Sequence, residues 1–312
     1  MYLVTGGAGF IGSNIVEELL RMGKKVRILD NFSSGRMENI ALFRKDIELL
    51  EGSVTDPEMC LKATSGVKVV FHEAAVASVP KSVADPVATN EVNLTGSLNI
   101  LNACRKNGVG KFVFASSSAI YGDDPELPKR ENMLPKPISP YALHKLAVEY
   151  YNRLFFSLYG LETISLRYFN VFGPRQDPRS DYAAVIPKFI NMMLAGKSPT
   201  IYGDGRQTRD FIYVKDVVRA NILASESKEA SGEIINVAGG KDIDLLDLVN
   251  DLNAVLKSEL KPVFLPAQPG DVPKSVASTE KMKNVLNFLP EHDFKSGLKN
   301  TVEYYSEVLA FN

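Results

Sequence analysis

The sequence predicts a protein of the α/β class, built on a doubly wound parallel sheet with a smaller, mixed α/β lobe in its C-terminal half. In the first half of the chain, short apolar runs alternate with amphipathic helical segments, which is the pattern of a parallel sheet with helices on both faces. The first strand runs straight into a glycine-rich turn and a helix. The length of 312 residues allows one large domain or two lobes around a sizeable core.

The glycine-rich turn is the most informative stretch of the chain. Residues 1–4 are apolar and predict a buried strand, and from Phe10 onward apolar residues recur at helical spacing. The glycines at positions 6, 7, 9 and 12 fit both a GxGxxG and a GxxGxxG register. A strand, a glycine turn and a helix form the dinucleotide-binding fingerprint of a Rossmann-type domain, because the free N–H groups of the helix start hold the pyrophosphate. A glycine turn without a ligand is the alternative.

Charge and hydropathy narrow the possible partners. Hydrophobic residues make up 45% of the chain, charged residues 23%, and the formal net charge is -1. Neither nucleic acid nor a membrane surface is indicated as a partner by this balance. The sequence begins directly with a strand and has no apolar run of about 18 residues, so we expect neither a signal peptide nor a membrane span.

Cysteine and histidine usage is sparse. The two cysteines, Cys60 and Cys104, form no CxxC pair, which favours a reducing, cytoplasmic location. The three histidines, at positions 72, 144 and 292, are scattered along the chain. We therefore expect no metal site and assign these histidines surface or capping roles.

An acidic residue ends the second predicted strand, residues 25–30. Asp30 is placed to hydrogen-bond the adenosine ribose hydroxyls of a dinucleotide, and its carboxylate would repel a 2′-phosphate. NAD is therefore favoured over NADP as the cofactor. Arg36, in the loop that follows, keeps NADP open, and a solvated strand end is the other interpretation of Asp30.

Further strands are predicted at residues 47–52, 67–72 and 111–115, with a helix over about residues 86–107. Asp56, just ahead of Pro57, either caps the next helix or contacts the adenine, and the cap is the more common role. The small residues of the stretch 74–77 would let the backbone approach the cofactor closely.

The main chemical constellation is predicted where the fifth strand ends in Ser116, Ser117 and Ser118, since ligands bind at the carboxyl ends of parallel strands. Tyr141 and Lys145 are four residues apart and share one face of a predicted helix. An ammonium about 4 Å away would lower the tyrosine pKa from about 10 toward neutrality and make Tyr141 a base. An exposed helix pair is the usual meaning of YxxxK, but a glycine fingerprint and a serine-ended strand favour catalysis.

On these residues the sequence resembles the extended short-chain dehydrogenase/reductase family, and within it the UDP-hexose 4-epimerases. The resemblance covers essentially the whole chain. The matching stretches are residues 5–12, 30–31, 77–80, 117–122, 141–145, 166–174 and 209–211. It implies NAD-dependent 4-epimerisation of a UDP-hexose through a 4-keto intermediate, in a homodimer whose YxxxK helix and the helix of residues 86–107 pack into a four-helix bundle.

The resemblance also assigns roles to single residues. Ser117, with Ser118 beside it, is the expected catalytic serine, Tyr141 the base at the sugar 4-hydroxyl, and Lys145 the group that binds the nicotinamide ribose and lowers the tyrosine pKa. The implied cofactor site consists of Gly6, Gly9, Phe10, Ile11, Gly12, Asp30, Asn31, Ser33, Gly35, Val54, Asp56, Ala74, Ala75, Ala77, Asn93, Ser116, Tyr141, Lys145 and Tyr168. The implied substrate site consists of Val79, Ser117, Ser118, Tyr141, Asn170, Ala184, Val185, Tyr202, Arg209, Asp271 and Ser275.

The second half of the chain is interpreted as the substrate-binding part. Its predicted elements are a helix at 182–194, a strand and turn at 201–205, a strand at 210–214, a strand at 234–238 that returns to the large sheet, and helices at 245–256 and 294–309. Arg209, in a predicted polar loop, could bind a diphosphate with its guanidinium fork or form a surface salt bridge. The expected NAD-binding domain is residues 1–170 plus about 208–238. The expected nucleotide-sugar domain is about 171–207 and 239–312.

Two positions near the C-terminus bear on the substrate. The family usually has an Arg-x-Gly-Asp motif there, but Gln268 replaces its arginine ahead of Asp271, so Arg209 would carry more of the diphosphate charge. Other basic residues that could share it are Arg175, Arg179 and Lys274. Ser275 is small where a tyrosine restricts the family to UDP-glucose and UDP-galactose. We therefore expect UDP-N-acetylglucosamine and UDP-N-acetylgalactosamine to interconvert, unless a neighbouring side chain closes the pocket.

Three alternative functions stay open. A nucleotide-sugar 4,6-dehydratase needs an Asp-Glu pair after the catalytic serine, where this chain has Ser118 and Ala119. A decarboxylase of UDP-glucuronate is disfavoured because Ala119 again replaces an acid. A non-enzymatic NAD-binding sensor has no need of Ser117, Tyr141 and Lys145 together.

Overall fold

The computed structural model of the chain describes residues 1–178, 184–267 and 273–310. The strands in these ranges are β1 (Tyr2–Thr5), β2 (Val26–Asp30), β3 (Ile47–Glu51), β4 (Val69–His72), β5 (Lys111–Ser117), β6 (Glu162–Tyr168), β7 (Asn170–Phe172), β8 (Thr200–Tyr202), β9 (Thr208–Tyr213), β10 (Ile234–Val237), β11 (Asp242–Asp244) and β12 (Val263–Leu265). The helices are α1 (Phe10–Arg21), α2 (Pro57–Thr64), α3 (Val79–Ala84), α4 (Pro86–Asn90), α5 (Gly96–Lys106), α6 (Pro140–Tyr159), α7 (Val185–Leu194), α8 (Val214–Glu226), α9 (Leu245–Leu256), α10 (Glu280–Leu286) and α11 (Phe294–Ala310).

The large sheet has seven parallel strands in the order β3-β2-β1-β4-β5-β6-β10. Strand β1 pairs with both β2 and β4, so the chain winds outward in opposite directions from this point. In a doubly wound sheet such a switch point opens a crevice at the carboxyl ends of the strands. The predicted Rossmann-type fold is confirmed, and the predicted strand at 234–238 does return to this sheet beside β6.

Hydrophobic cores lie on both faces of the large sheet. Leu3 and Val4 are adjacent in β1 and both fully buried, but they belong to different cores because neighbouring strand residues point to opposite faces. Helices α1 and α8 pack together on one face, and α2, α5 and α6 cover the other. Burial on both faces explains why this strand is a continuous apolar run without alternation.

A smaller mixed lobe stands beside the carboxyl ends of the large sheet. Strands β7 and β9 pair in parallel, β11 joins β9 in antiparallel fashion, and β8 pairs with β12. Helices α7, α9 and α11 pack around a separate core that includes Phe172 and Tyr213. The predicted loop around Arg209 is wrong, because Arg209 lies within β9 and pairs with Ile243. The exact division into two domains stays a prediction.

Most predicted helices are confirmed. Helix α9 has the predicted bounds, and α4 and α5 form one continuous helix through a π-helical turn at Glu91–Thr95. The first residues of the helix predicted at 182–194 lie outside the described residues, and α7 begins at Val185. Across the described part of the chain, no helix combines the length and the apolarity needed to cross a bilayer.

Candidate active site

The glycine turn brings β1 and α1 into close contact. Gly6 has φ +66°, and a Cβ on Gly12 would lie 2.2 Å from the Gly6 carbonyl oxygen. Only glycine allows this approach, because a methyl group at position 12 would collide with the backbone. Helix α1 begins after Gly9 without a side-chain cap. Its first N–H groups therefore face the carboxyl edge of the sheet, ready for an anion.

Asp30 is held at the end of β2. Its Oδ2 accepts a hydrogen bond from the Ala8 N–H at 2.9 Å, and its Oδ1 accepts one from the Phe32 N–H at 2.8 Å. A Cβ on Gly35 would lie 2.7 Å from Asp30 Oδ1, so the following loop packs directly on this carboxylate. These contacts fix the orientation of the acid at the edge of the crevice.

A cleft of about 630 Å³ runs along these elements, a volume within the usual range for cofactor sites. The predicted cofactor residues that line it are Gly6, Gly9, Phe10, Ile11, Gly12, Asp30, Asn31, Ser33, Gly35, Val54, Ala74, Ala75 and Ala77. An uncapped helix start for a pyrophosphate and a fixed carboxylate for ribose hydroxyls lie in one continuous cleft. The residues present therefore fit a dinucleotide with an unphosphorylated ribose, which is NAD.

Three predicted cofactor residues have other partners. Asp56 caps α2, accepting hydrogen bonds from the Glu58 and Met59 N–H groups at 2.9 and 3.2 Å, so the capping interpretation is confirmed. Asn93 accepts from the Val76 N–H at 2.7 Å and thereby holds the loop after β4. Ser116 is buried and donates to Glu149 Oε1 at 2.6 Å, on the face of β5 opposite Ser117.

Ser117, Tyr141 and Lys145 are brought together at the end of β5. The Ser117 side chain lies close enough to the Tyr141 phenol to act on its pKa, which it lowers. Lys145 is 3% exposed and donates from Nζ to the Ala115 carbonyl oxygen at 2.7 Å. Its Nζ lies 5.9 Å from the centre of the Tyr141 ring. The start of α6 is fixed to α3, because the Tyr141 N–H donates to Ser82 Oγ at 3.0 Å.

The protonation of this group differs from the prediction. Burial raises the pKa of Tyr141 above its usual value, and the hydrogen bond from Ser117 only partly offsets this. Burial also lowers the pKa of Lys145 to about 8. The expected lowering of the tyrosine pKa by Lys145 is therefore wrong for the protein's own groups, since desolvation of the phenolate outweighs the attraction of an ammonium that is itself bound to a carbonyl.

Glu73 is a cleft residue that the sequence analysis gave no role. It follows β4 directly, lines the cleft, and accepts a hydrogen bond from the Tyr168 hydroxyl at 2.9 Å. Burial raises the pKa of Glu73 to about 7, and its charge acts on both Tyr141 and Lys145. A lone acid among the small residues after β4 was the signal that could have found it.

The predicted surface or capping role of the histidines is wrong for His144, which is buried in α6, and for His72. Its ring is buried between Thr5 Oγ1, at 2.7 Å from Nδ1, and Ser97 Oγ, at 2.9 Å from Nε2. Burial lowers the pKa of His72 to about 3, so the ring is neutral. It joins β1, β4 and α5 beneath the cleft as a structural residue.

Several predicted substrate residues lie near β9. Asn170 pairs with Phe211 in the β7–β9 ladder and donates from Nδ2 to the Asp210 carbonyl oxygen at 3.2 Å. Arg209 donates to the Thr208 carbonyl oxygen at 2.8 Å. Ser275 lies in a segment bound to the same strand, because the Thr208 N–H donates to the Pro273 carbonyl at 2.9 Å.

Asp210 connects this segment to the large sheet. Its carboxylate accepts hydrogen bonds from the N–H groups of Gly239 at 2.7 Å, Gly240 at 3.1 Å and Ala277 at 3.0 Å. The side chain is fully buried. Sequence analysis missed this role, because the partners are backbone groups more than 25 residues away along the chain.

The other predicted substrate residues are more dispersed. Val79 begins α3, Ala184 and Val185 lie at the start of α7, and Tyr202 ends β8 beneath the Lys188 side chain. Asp271 lies outside the described residues, as do Arg179 and the unusual Gln268.

The chain is similar in sequence to an epimerase family and to proteins named as epimerases. Residues 2–238 match the NAD dependent epimerase/dehydratase family. The chain is 41% identical over 310 residues to a putative UDP-glucose 4-epimerase of Methanocaldococcus jannaschii, with 97% of this chain and 98% of that protein covered.

Two solved structures are closely similar. One is the UDP-N-acetylglucosamine 4-epimerase from Methanobrevibacter ruminantium in complex with UDP-N-acetylmuramic acid, with a TM-score of 0.94, 44% identity and 98% of each chain covered. The other is the UDP-glucose 4-epimerase from Thermotoga maritima with UDP-glucose, with a TM-score of 0.94, 41% identity and 99% of each chain covered. With its glycine turn, its fixed acid at the end of β2 and a match over three quarters of its length, the chain belongs to the NAD dependent epimerase/dehydratase family.

Proposed function

We propose that the protein interconverts UDP-hexoses that differ at sugar C4, by NAD-dependent oxidation to a 4-keto intermediate and reduction from the opposite face. The observation that carries the proposal is the convergence of Ser117, Tyr141 and the buried Lys145 at the end of β5, with Lys145 Nζ bound to the Ala115 carbonyl and 5.9 Å from the centre of the Tyr141 ring. The relatives' names supply the substrate class, since they act on UDP-glucose or UDP-N-acetylglucosamine.

Tyr141 takes the proton of the sugar 4-hydroxyl and returns it after reduction. Ser117 orients the same oxygen, because its hydroxyl lies at the end of β5 beside the Tyr141 phenol. NAD held in the cleft by the glycine turn and Asp30 would supply a reversible hydride acceptor for C4 and the positive charge of its oxidised ring. Burial raises the pKa of the Tyr141 phenol, and additional positive charge beside it would lower that pKa and favour the base.

We assign the nucleotide-sugar site to the predicted residues near β9, with Arg209 as a diphosphate ligand. A guanidinium binds phosphate oxygens through parallel N–H bonds. Ser275 is held in the segment that joins β9 at Pro273 and Ala277. This supports its proposed place in the sugar pocket, where a small side chain leaves room for an N-acetyl group.

Elimination and decarboxylation are disfavoured by the turn after Ser117. Residues 118 and 119 lie in the 3₁₀ turn Ser118–Tyr121 and are serine and alanine. Neither carries the carboxylate that those reactions need next to the catalytic serine.

The experiment is to incubate the purified protein, without added NAD, with UDP-N-acetylglucosamine and separately with UDP-glucose, and to follow products by proton NMR. We expect the 4-epimer of the acetylated sugar. Ser275→Tyr should abolish that turnover and preserve any turnover of UDP-glucose, with Ser275→Ala as the matched control. A 4-keto-6-deoxy sugar or a pentose product would refute the epimerase proposal.

We also propose that the enzyme is a homodimer. Leu143, Tyr150 and Leu154 lie along one face of α6 and are about half exposed, and Val87 of α4 is exposed as well. Contiguous exposed apolar faces on neighbouring helices usually mark an interface between subunits. The face contributed by α4 and α6 is called the bundle face below.

A further inference from the structure

Arg36 and Asp177 form an ion pair at the rim of the cofactor cleft. Both side chains line the cleft, and Arg36 Nη2 donates to Asp177 Oδ2. The side chains are 35% and 33% exposed. Arg36 comes from the loop after β2 and Asp177 from the segment after β7, so the pair joins two parts of the chain that meet across the cleft.

Arg36 stands next to the ribose-binding acid. Its N–H donates to the Ala8 carbonyl oxygen at 3.0 Å, and the preceding Gly35 packs against Asp30. A guanidinium in this loop is the group that binds the 2′-phosphate of NADP with two parallel hydrogen bonds. By itself, the positive charge of Arg36 would favour binding of NADP through its 2′-phosphate. The negative charge of Asp30 would oppose this by repelling the same phosphate.

Asp177 is held in place by its own neighbours. Two residues earlier, Arg175 donates to the Ser13 carbonyl oxygen and to Glu17 Oε1, both at 3.1 Å. The Tyr305 hydroxyl donates to the backbone carbonyl of the residue just before Asp177. These anchors on α1 and α11 fix the carboxylate over the cleft, and they also direct Arg175 toward α1.

We propose that Asp177 is a cofactor-selectivity residue that occupies the Arg36 guanidinium and withholds it from a 2′-phosphate. Two carboxylates then act together at the adenosine end of the cleft. Asp30 accepts the ribose hydroxyls, and Asp177 neutralises the nearby Arg36 guanidinium, which would otherwise favour a phosphate. The proposal rests on the dinucleotide cleft alone, so it holds whichever sugar the enzyme turns over.

The test measures which nucleotide the protein holds. The unaltered protein and Asp177→Asn are incubated for a long period with equimolar NAD and NADP and freed of unbound nucleotide by gel filtration. They are then denatured, and the released nucleotides are quantified by chromatography. We expect Asp177→Asn to raise the bound NADP-to-NAD ratio about tenfold or more, because a freed guanidinium can form charge-assisted bonds to phosphate.

Two further variants separate this effect from simple loss of negative charge. Asp177→Asn combined with Arg36→Gln should lose the gain, because the guanidinium that Asp177→Asn frees is no longer present. Glu280→Gln removes the acid of an ion pair with Arg130 outside the cleft, at 3.2 Å, and should leave the ratio unchanged.

Three results would overturn the proposal. The first is an unchanged bound NADP-to-NAD ratio in an Asp177→Asn protein that still holds NAD. The other two are a rise in this ratio, as large as that in Asp177→Asn, in the double variant or in Glu280→Gln. The test measures the nucleotide bound to the protein and does not depend on sugar turnover. Its results would therefore have the same meaning if the protein did not epimerise UDP-sugars.

Discussion

At the scale of single residues, the active site is a set of groups whose charge states depend on burial. Tyr141 and Lys145 have pKa values moved in opposite directions by the same desolvation, upward for the phenol and downward for the ammonium. Each shift disfavours the charged form. The Tyr141 phenol is therefore neutral in the protein without ligands. For Tyr141 to act as the proposed base, positive charge added beside it must lower its pKa.

Tyr141→Phe should keep the cofactor and lose most of the turnover. The substitution removes the hydroxyl that moves the proton while the ring still fills its space, so we expect the epimerisation rate to fall by about 10²–10⁴-fold. The measurement is the NMR assay, together with the NAD content of the denatured protein. Tyr159→Phe, at the half-exposed end of the same helix, should be near normal. A near-normal rate in Tyr141→Phe would refute the assignment of the base.

Glu73 should shape the pH dependence of the reaction. Its pKa of about 7 means that it becomes ionised as the pH rises through neutrality, and its negative charge then raises the pKa of Tyr141. The groups that face it are the Tyr168 hydroxyl, Lys145 and Tyr141. Glu73→Gln keeps an acceptor for the Tyr168 hydroxyl but removes the charge. We expect the ascending limb of the kcat profile to move to lower pH by about one unit.

The control for this prediction is Glu91→Gln, which neutralises an exposed carboxylate that does not line the cleft. Its pH profile should match that of the unaltered enzyme. A Glu73→Gln profile that also matches would mean that Glu73 has no electrostatic effect on the base.

At the scale of elements, the catalytic helix is fastened to the sheet by a buried ion pair. Glu149, one turn beyond Lys145 on α6, accepts two hydrogen bonds from Arg167 of β6, at 2.9 and 2.8 Å. The same carboxylate accepts from Ser116 of β5. Helix α6 and two strands are therefore joined directly behind the residues that carry the chemistry.

Breaking this pair should destabilise the protein strongly. Both side chains are 2% exposed, so Glu149→Gln leaves the Arg167 charge buried without its counter-ion, at a cost of about 3–5 kcal/mol in the free energy of unfolding. Urea denaturation measures this loss. The matched control is Glu162→Gln, which breaks a partly exposed pair with Lys111 at 2.9 Å and should cost less than about 1 kcal/mol. Equal effects of the two variants would contradict the argument.

At the scale of the whole molecule, the two sheets are tied together at Asp210, and the subunits are expected to meet at the bundle face. Asp210 links β9 to the end of β10 and to the segment that carries Ser275. Movement of the substrate-binding part relative to the large sheet is therefore restrained at a fully buried carboxylate. The cleft and the expected sugar pocket share this restraint.

Leu154→Glu should dissociate the dimer. A charge in the middle of the bundle face would have to be buried against the partner's apolar side chains, which is costly. Sedimentation should then report a particle near the 34.3 kDa of one chain. Leu42→Glu, at a leucine that is 91% exposed and outside the bundle face, is the control and should stay dimeric. A monomeric unaltered protein would refute the dimer proposal.

Local patterns were enough to predict much of this molecule. The glycine turn, the acid that ends β2, the spacing of Tyr141 and Lys145, and the cap at Asp56 each depend on neighbours only a few residues away. Such features can be read from a sequence because propensity, periodicity and capping act over short distances. The strands and helices around them were therefore found close to their observed bounds.

What the sequence could not supply depends on contacts between distant segments. The raised pKa of Tyr141 follows from its burial in the folded chain. The ion pair between Arg36 and Asp177 joins positions 141 residues apart. The backbone hydrogen bonds to Asp210 and the burial of His72 also depend on contacts between distant segments. The sequence alone determined the fold class and the spacing of the candidate reactive groups, because these follow from short-range patterns. Only the tertiary structure decided their charge states and partners, because desolvation and ion pairing depend on which remote groups the fold places around them.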